Sequence, residues 1–146
     1  MHPQSSDILE FTGQYRWLSN FFPCSIQYDG MGFPSVENAY QAAKEINREA
    51  RWKYGICSPV TAKKWGKRAW LRPSWGNEKL GIMEVLTRQK FNHPEFKELL
   101  LATGTGLIVE GNTWGDTFWG VCNGEGENHL GKIIMKIRGE LCQTIL

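Results

Sequence analysis

Apolar and polar positions alternate near the start of the chain and then change to a helical spacing. Residues 8–11 are compatible with a short strand. Residues 26–33 alternate on both sides of Asp29 and Gly30, a pair that favours a tight turn. This pattern predicts a β-hairpin.

A helix is predicted directly after the hairpin. Val36, Ala39, Tyr40 and Ala43 recur at i, i+3, i+4 and i+7, and Ser35 is a suitable N-cap. Further helical segments are predicted at residues 48–56, 58–69, 77–91, 94–104 and 128–141.

Little β structure is predicted beyond the hairpin. Residues 107–109 are apolar and partly branched, which favours a short β segment. A glycine-rich loop follows, and Asn128 is expected to cap the last helix. The predicted fold is mainly α, in the α+β class, with a short antiparallel hairpin. The 146 residues are expected to form a single domain, residues 1–146.

Composition excludes several classes of function. A formal net charge of +2 gives no strong attraction to nucleic acid or to a membrane, and no segment reaches membrane-spanning length. The four Cys and three His are scattered, so no metal site is expected. The scattered Cys and an N-terminus without a secretory signal favour a cytoplasmic location. Seven Trp are unusual, and some could line a pocket for a flat ligand.

The predicted helix after Ser35 carries a first candidate group. Glu37 and Lys44 are seven residues apart, so both lie on the same side of the helix, with Tyr40 and Gln41 between them. The helix dipole favours a carboxylate in the first turn, where Glu37 lies. The face is either an ordinary solvated surface or a carboxylate and an ammonium that point into a cleft.

A second candidate group lies in "GLIVEGNTWGDTFWG", residues 106–120. Glu110 ends the predicted β segment, and Asp116 lies between Trp114 and Trp119. A carboxyl group among apolar rings loses hydration, which suits acid or base chemistry. The alternative is that Asp116 caps a turn and the tryptophans are core residues.

Three more segments could contact a ligand. In "RWLSNFFP", Trp17 could stack on a flat group or simply pack, and Asn20 could bond the edge of a ligand or the backbone of a turn. In "AKKWGKRAWLRPSW", Lys64 and Arg68 could bind a phosphate or a nucleic acid strand, or could belong to a basic amphipathic helix. The amides of "GEGEN" before Asn128 could hold an anion, against which two glutamates would act.

Taken together, these motifs resemble the NADAR domain, or YbiA-like, family over about residues 11–141. The order of the motifs carries the resemblance: "RWLSNFFP", "FPSVENAYQAAK", "AKKWGKRAWLRPSW", "MEVLTRQKF", "LLLATGTGLIVEGNTWGDTFWG" and "GEGENHLGKIIMKIR". The resemblance implies a small, mainly helical YbiA-like fold and an N-glycosidase without metal or cofactor. Asn38 departs from the pattern, because many members have His there, and this leaves substrate choice open.

The resemblance implies hydrolysis of the bond between ribose and a base. Ribosylamino-pyrimidine phosphates of riboflavin biosynthesis are the first expected substrates, as a form of metabolite damage control. The alternatives are removal of ADP-ribose from guanine in nucleic acid, and a non-catalytic module that binds ADP-ribose or NAD. The expected partner is thus a small molecule, with nucleic acid only as an ADP-ribosylated substrate and no membrane; the oligomeric state is open.

Such a reaction builds positive charge on the sugar, so roles can be given to the candidate residues. Glu37 and Asp116 are expected to converge on the ribose, one of them activating water. Lys44 protonates the leaving group or binds a phosphate. The remaining residues are expected to bind substrate through the base, the sugar or a phosphate: Trp17, Asn20, Tyr40, Lys64, Arg68, Glu110, Trp119 and Asn128.

Overall fold

Helices dominate the computed structural model, which describes residues 6–144. The helices are α1 (Val36–Lys44), α2 (Pro59–Gly66), α3 (Trp75–Asn92), α4 (Pro94–Ala102) and α5 (His129–Gln143), with 3₁₀ helices at Gly13–Leu18 and Arg48–Gly55. The strands are β1 (Ile26–Tyr28), β2 (Met31–Phe33), β3 (Gly111–Asn112) and β4 (Val121–Cys122). The prediction of a mainly helical α+β fold is confirmed.

The described chain divides into two compact units, and each is described by itself. The central unit is Asn20–Lys90, and the terminal unit combines the chain before residue 20 with the chain from Phe91 onward. The single-domain interpretation stays a prediction. The argument about a secretory signal rests partly on residues 1–5, which lie outside the described residues. No helix within residues 6–144 is long and apolar enough to cross a membrane.

The predicted hairpin is present in the central unit. β1 and β2 pair antiparallel, with Ile26 opposite Phe33 and Tyr28 opposite Met31. Asp29 and Gly30 have φ angles of 51° and 76°, as a two-residue turn with two left-handed positions requires.

The helix α1 begins and is stabilised as the sequence predicts. Ser35 is its N-cap, and the Ser35 hydroxyl accepts a hydrogen bond from the Asn38 amide at 3.1 Å. Every residue of α1 before Lys44 is buried. Since a buried polar group is costly without a partner, the polar side chains of α1 must find theirs inside the protein.

Two predicted helix boundaries differ from the structure in this unit. The helix predicted at residues 58–69 ends at Gly66, with Lys67 as its C-cap. The helix predicted at residues 77–91 begins two residues earlier, at Trp75. Both differences lie at helix ends, where the apolar pattern is weakest.

In the terminal unit, the segments predicted as short strands at residues 8–11 and 107–109 pair with each other, but only through a single bridge rather than as regular strands. Ile8 and Ile108 form an isolated parallel bridge, and the only strands that the structure describes in this unit are the two-residue pair β3 and β4. Backbone hydrogen bonds join Ile8 to Leu107 and Val109. The pairing goes no further because side chains satisfy the next backbone groups; Asn128 bonds both Ile108 and Glu110.

Lys90, on α3, is an unusual buried lysine and leads to a prediction about stability. Only 1% of its surface is exposed, and burial lowers its pKa to about 7, an effect that the nearby Cys24 thiol group partly opposes. Between pH 7 and the ordinary lysine value, the unfolded chain holds this proton and the folded chain does not. Stability should therefore rise with pH in that window, by up to about 1.4 kcal/mol per pH unit.

Replacement of Lys90 by methionine is expected to reduce this rise. The free energy of unfolding, measured by urea denaturation between pH 7 and pH 10, should rise less steeply with pH in Lys90→Met, by up to about 1.4 kcal/mol per pH unit, and the remaining slope includes the contribution of Lys44. The exposed Lys132→Met is the control and should keep the wild-type slope. An unchanged slope in Lys90→Met would contradict the assignment to Lys90.

Candidate active site

The site is built on α1, and its first member is Glu37. The Glu37 side chain is buried, with 7% of its surface exposed, and its Oε1 accepts a hydrogen bond from Gln41 Nε2 at 2.8 Å. These two residues are one helical turn apart, so the helix itself brings them together. Since Glu37 is buried, the alternative of a solvated surface is wrong for this residue.

Lys44, in the last turn of α1, is the second member. Burial lowers its pKa, and the Glu37 carboxylate partly opposes this by favouring the charged form. Its Nζ lies 5.4 Å from the centre of the Tyr40 ring. The structure thus brings Glu37, Tyr40 and Lys44 together, as the seven-residue spacing predicts.

Tyr40 is mainly a packing residue in this group. It is 5% exposed, and its ring lies 5.2 Å from the Trp75 ring at an angle of 53°. The two rings form an apolar wall beside Lys44, and a cation against such a wall is less hydrated than a free one. The substrate contact predicted for Tyr40 stays a prediction.

Additional lysines surround Lys44. Lys63, Lys67 and Lys79 each lower its pKa further through electrostatic repulsion. The phosphate ligands predicted from the sequence, Lys64 and Arg68, are both exposed. The positive charge that acts on Lys44 therefore comes from Lys63 and Lys67, which adjoin the predicted residues in sequence, and from Lys79 on α3.

Asn38, the departure from the family pattern, has hydrogen-bond partners within the fold at both ends of its side-chain amide. Its Nδ2 donates to the backbone oxygens of Tyr54 at 2.8 Å and Cys57 at 2.9 Å, and its Oδ1 accepts from the Ser35 hydroxyl at 2.5 Å. The amide anchors α1 to the segment after the second 3₁₀ helix. This position is structural in the present chain.

Asn20 meets the start of α1 through its backbone. Its carbonyl oxygen accepts from the Glu37 amide at 3.0 Å, while its side-chain Nδ2 lies 3.5 Å from the Met83 sulfur. Asn20 therefore helps to hold Glu37 in place. The ligand contact predicted for its side chain stays a prediction.

Asp116 belongs to the terminal unit and organises a turn. Its Oδ1 accepts from the amides of Phe118 at 3.1 Å and Trp119 at 2.9 Å. Asn112 holds the same residue from the other side, with Nδ2 on the Asp116 carbonyl at 2.8 Å and Oδ1 on its amide at 3.0 Å. These bonds support the turn-capping alternative, and the catalytic role of Asp116 stays a prediction.

Asn128 and Glu110 are linked to each other. Asn128 Oδ1 accepts from the Glu110 amide at 2.9 Å, and Asn128 Nδ2 donates to the Ile108 carbonyl at 3.0 Å. The predicted capping bond of Asn128 is therefore wrong, because its side chain points back to this segment and its φ is 54°. The Glu110 carboxylate accepts from Asn112 Nδ2 at 3.2 Å, and the role predicted for Glu110 at a substrate stays a prediction.

The two tryptophans predicted to stack on a base are placed differently. Trp17 is 8% exposed and meets the edge of Phe91 at 6.4 Å, so it is a core residue of the terminal unit. Trp119 is half-buried, with its ring perpendicular to Phe118 at 4.8 Å. The sequence could not separate these two environments.

Sequence reasoning placed Gln41 on the same side of the helix as Glu37 but gave it no role, and it missed Lys79. Gln41 lies one turn after Glu37, and this spacing was a usable signal. Lys79 is on α3, far from α1 in sequence, so only the fold brings it near Lys44.

Comparisons with known proteins agree with this architecture. The NADAR domain family model matches residues 10–142. The N-glycosidase YbiA of Shigella boydii serotype 4 (strain Sb227) is 34% identical over 148 residues, which cover 96% of this chain and 92% of that protein. A riboflavin biosynthesis protein of Vibrio vulnificus (strain YJ016) is 33% identical over 134 residues, 87% of this chain and 36% of that protein.

A solved structure is similar as well. The NMR structure of the Escherichia coli protein YbiA matches with a TM-score of 0.83 and 32% identity, over 99% of this chain and 90% of that chain. The similarity extends over both compact units of the described chain.

Proposed function

Since the chain belongs to the NADAR domain family and is a hydrolase of N-glycosyl bonds, we propose that its substrate is a ribosylamino-pyrimidine phosphate of riboflavin biosynthesis. The name of the Vibrio vulnificus relative supports this pathway, and the names of YbiA relatives support the reaction. The observation that carries the proposal is the buried Glu37 beside Lys44, with further lysines around them.

The reaction needs a proton donor at the departing nitrogen. The proposed donor is Lys44, because a lowered pKa makes an ammonium group a stronger acid. As the bond between C1′ and nitrogen breaks, its electron pair goes to the nitrogen, which takes the proton from Lys44. The apolar wall of Tyr40 and Trp75 limits hydration of the donor.

The reaction also needs a carboxylate at the sugar, and Glu37 is the proposed one. An incoming water forms the new bond to C1′ and gives one proton to Glu37, while the carboxylate stabilises the cationic sugar before that transfer. The proton then passes through solvent to the neutral Lys44, which restores both groups. The products are ribose phosphate and the free aminopyrimidine.

The lysines around Lys44 support a phosphate on the substrate. Lys63, Lys67 and Lys79 place several positive charges near one point, and their mutual repulsion is relieved when an anion binds. A phosphate supplies that anion, and charged hydrogen bonds to it contribute about 1.5–3 kcal/mol each.

The test compares three substrates in one series. We expect release of aminopyrimidine from the ribosylamino-pyrimidine 5′-phosphate, and kcat/KM about 10–100-fold lower for the dephosphorylated compound, as one lost phosphate contact implies. Lys79→Met should reduce this preference, and the exposed Lys132→Met should keep it. Release only from ADP-ribosylated guanosine in DNA would reject the proposed substrate class and retain the reaction.

A further inference from the structure

The two ends of the Gln41 side chain have different surroundings. Its Nε2 donates to Glu37 Oε1 at 2.8 Å. Its Oε1 is buried and accepts no hydrogen bond from any part of the chain that the structure describes. Gln41 is 4% exposed, so water does not reach this oxygen freely. A buried acceptor without a donor is unusual and calls for a physical reason.

Gly66, at the end of α2, lies directly against this oxygen. A Cβ atom at Gly66 would be 1.8 Å from Gln41 Oε1 and 2.7 Å from Gln41 Cδ. The backbone of Gly66 is not in the left-handed region, so glycine is not needed there for its conformation. It is needed because any side chain would displace the Gln41 amide.

The orientation of the amide follows from the charge of Glu37. If the amide turned over, its oxygen would face the Glu37 carboxylate, and two acceptors would repel each other. The observed orientation leaves one oxygen against Gly66 and places both N–H bonds on the Glu37 side. In contrast, Asn38, the other buried amide of α1, has partners at both ends.

We propose that Gln41 is a positioning residue for the Glu37 carboxylate, and that Gly66 is required because it leaves room for the Gln41 amide. The hydrogen bond fixes the direction of the Glu37 side chain and favours its ionised form. The unpaired Oε1 is the consequence of turning the donor end towards Glu37. This inference rests on the catalytic role proposed for Glu37.

Gln41→Met is the main test, because methionine has a similar length and no hydrogen-bond donor. We expect kcat to fall about 10–100-fold, with KM within about threefold of wild type, since positioning acts on the chemical step. The acid limb of the rate profile should move to higher pH, because the carboxylate loses a donor to its ionised form. The cations around the site, Lys44, Lys63, Lys67 and Lys79, are retained, so the movement is assigned to the lost donor.

Gly66→Ala tests the second half of the proposal. The added methyl group should displace the amide and lower kcat in the same direction, while Gly76→Ala, where a Cβ meets no atom within 4 Å, should leave kcat unchanged. In a Gln41→Ala background, Gly66→Ala should cost less than it does in wild type, because its effect passes through Gln41.

The outcomes separate this inference from the proposed function. If Glu37→Gln keeps turnover within threefold of wild type, the proposed function fails. If Glu37→Gln loses turnover but folded Gln41→Met keeps both kcat and the acid limb, the inference alone is overturned. If both substitutions lower kcat and the double variant is no slower than Glu37→Gln, the positioning role of Gln41 is supported.

Discussion

Glu37→Gln is expected to lower kcat for N-glycoside hydrolysis by about 10²–10⁴-fold, the usual contribution of a positioned acid–base group. Glutamine has the shape of glutamate, and its carbonyl oxygen can still accept the bond from Gln41, so the fold should survive. What is lost is the negative charge that stabilises the cationic sugar and takes a proton from water. Steady-state release of aminopyrimidine measures the loss of kcat, and a thermal melt on the same samples shows whether the fold survives.

A matched control and a comparison sharpen this result. Glu98→Gln removes an exposed carboxylate on α4 and should leave kcat unchanged. Asp116→Asn keeps an Oδ1 acceptor for the amides of Phe118 and Trp119, so it tests the charge of Asp116 without removing the turn. A catalytic Asp116 requires a loss similar to that of Glu37→Gln, whereas a role limited to the turn leaves turnover within about threefold. Turnover within threefold for Glu37→Gln would remove Glu37 from the mechanism.

Lys44→Met is expected to lower kcat by about 10²-fold or more, because no proton donor remains for the leaving nitrogen. Lys44→Arg separates the two roles that the sequence left open. Arginine retains the positive charge but is a poor acid. If Lys44 is the proton donor, kcat should therefore be low in both Lys44→Met and Lys44→Arg. If Lys44 instead binds the substrate phosphate, kcat should be nearly normal in Lys44→Arg, and KM should be higher only in Lys44→Met.

The pH profile provides an independent check on Lys44. A proton donor must be charged, so kcat should fall as pH rises through the Lys44 pKa, which burial holds below the ordinary lysine value of 10.5. Lys132→Met should keep this alkaline limb. An alkaline limb that persists unchanged in Lys44→Arg would show that another group titrates and that Lys44 is not the donor.

The central elements of the fold could be predicted because their signals are local. The hairpin follows from alternation around Asp29 and Gly30, and α1 follows from its cap and its helical spacing. The same spacing places Glu37 and Lys44 on one side of α1. What the spacing could not show is burial, because that depends on how the hairpin, the second 3₁₀ helix and α2 pack around α1.

The segment before α5 was harder to predict for a definite physical reason. Asn112, Asp116 and Asn128 use their side chains to bond the backbone, and these bonds replace the regular pattern of a helix or strand. Such bonds join residues up to 20 positions apart, and no periodic signal accompanies them. A polar residue among rings therefore has the same appearance in sequence whether it supports the fold or performs chemistry.

Tryptophan was ambiguous in the same way. Trp17 lies in a core and Trp75 packs against Tyr40, while Trp70 is 82% exposed. The residue type establishes a large ring with one donor, but its environment depends on packing between distant segments. The positive charge near Lys44 was also only partly predictable. The basic segment "AKKWGKRAWLRPSW" contains Lys63 and Lys67, but Lys79 lies outside that segment.

The division of the chain also has a consequence for biosynthesis. The central unit is one continuous segment, Asn20–Lys90, so all of its residues have been made once Lys90 leaves the ribosome exit tunnel. The terminal unit draws on both ends of the polypeptide, and Ile8 must wait for Ile108 to be translated before the two can pair. Vectorial folding should thus begin in the segment that carries Glu37 and Lys44, and the pairing of Ile8 follows only after that whole segment has been made.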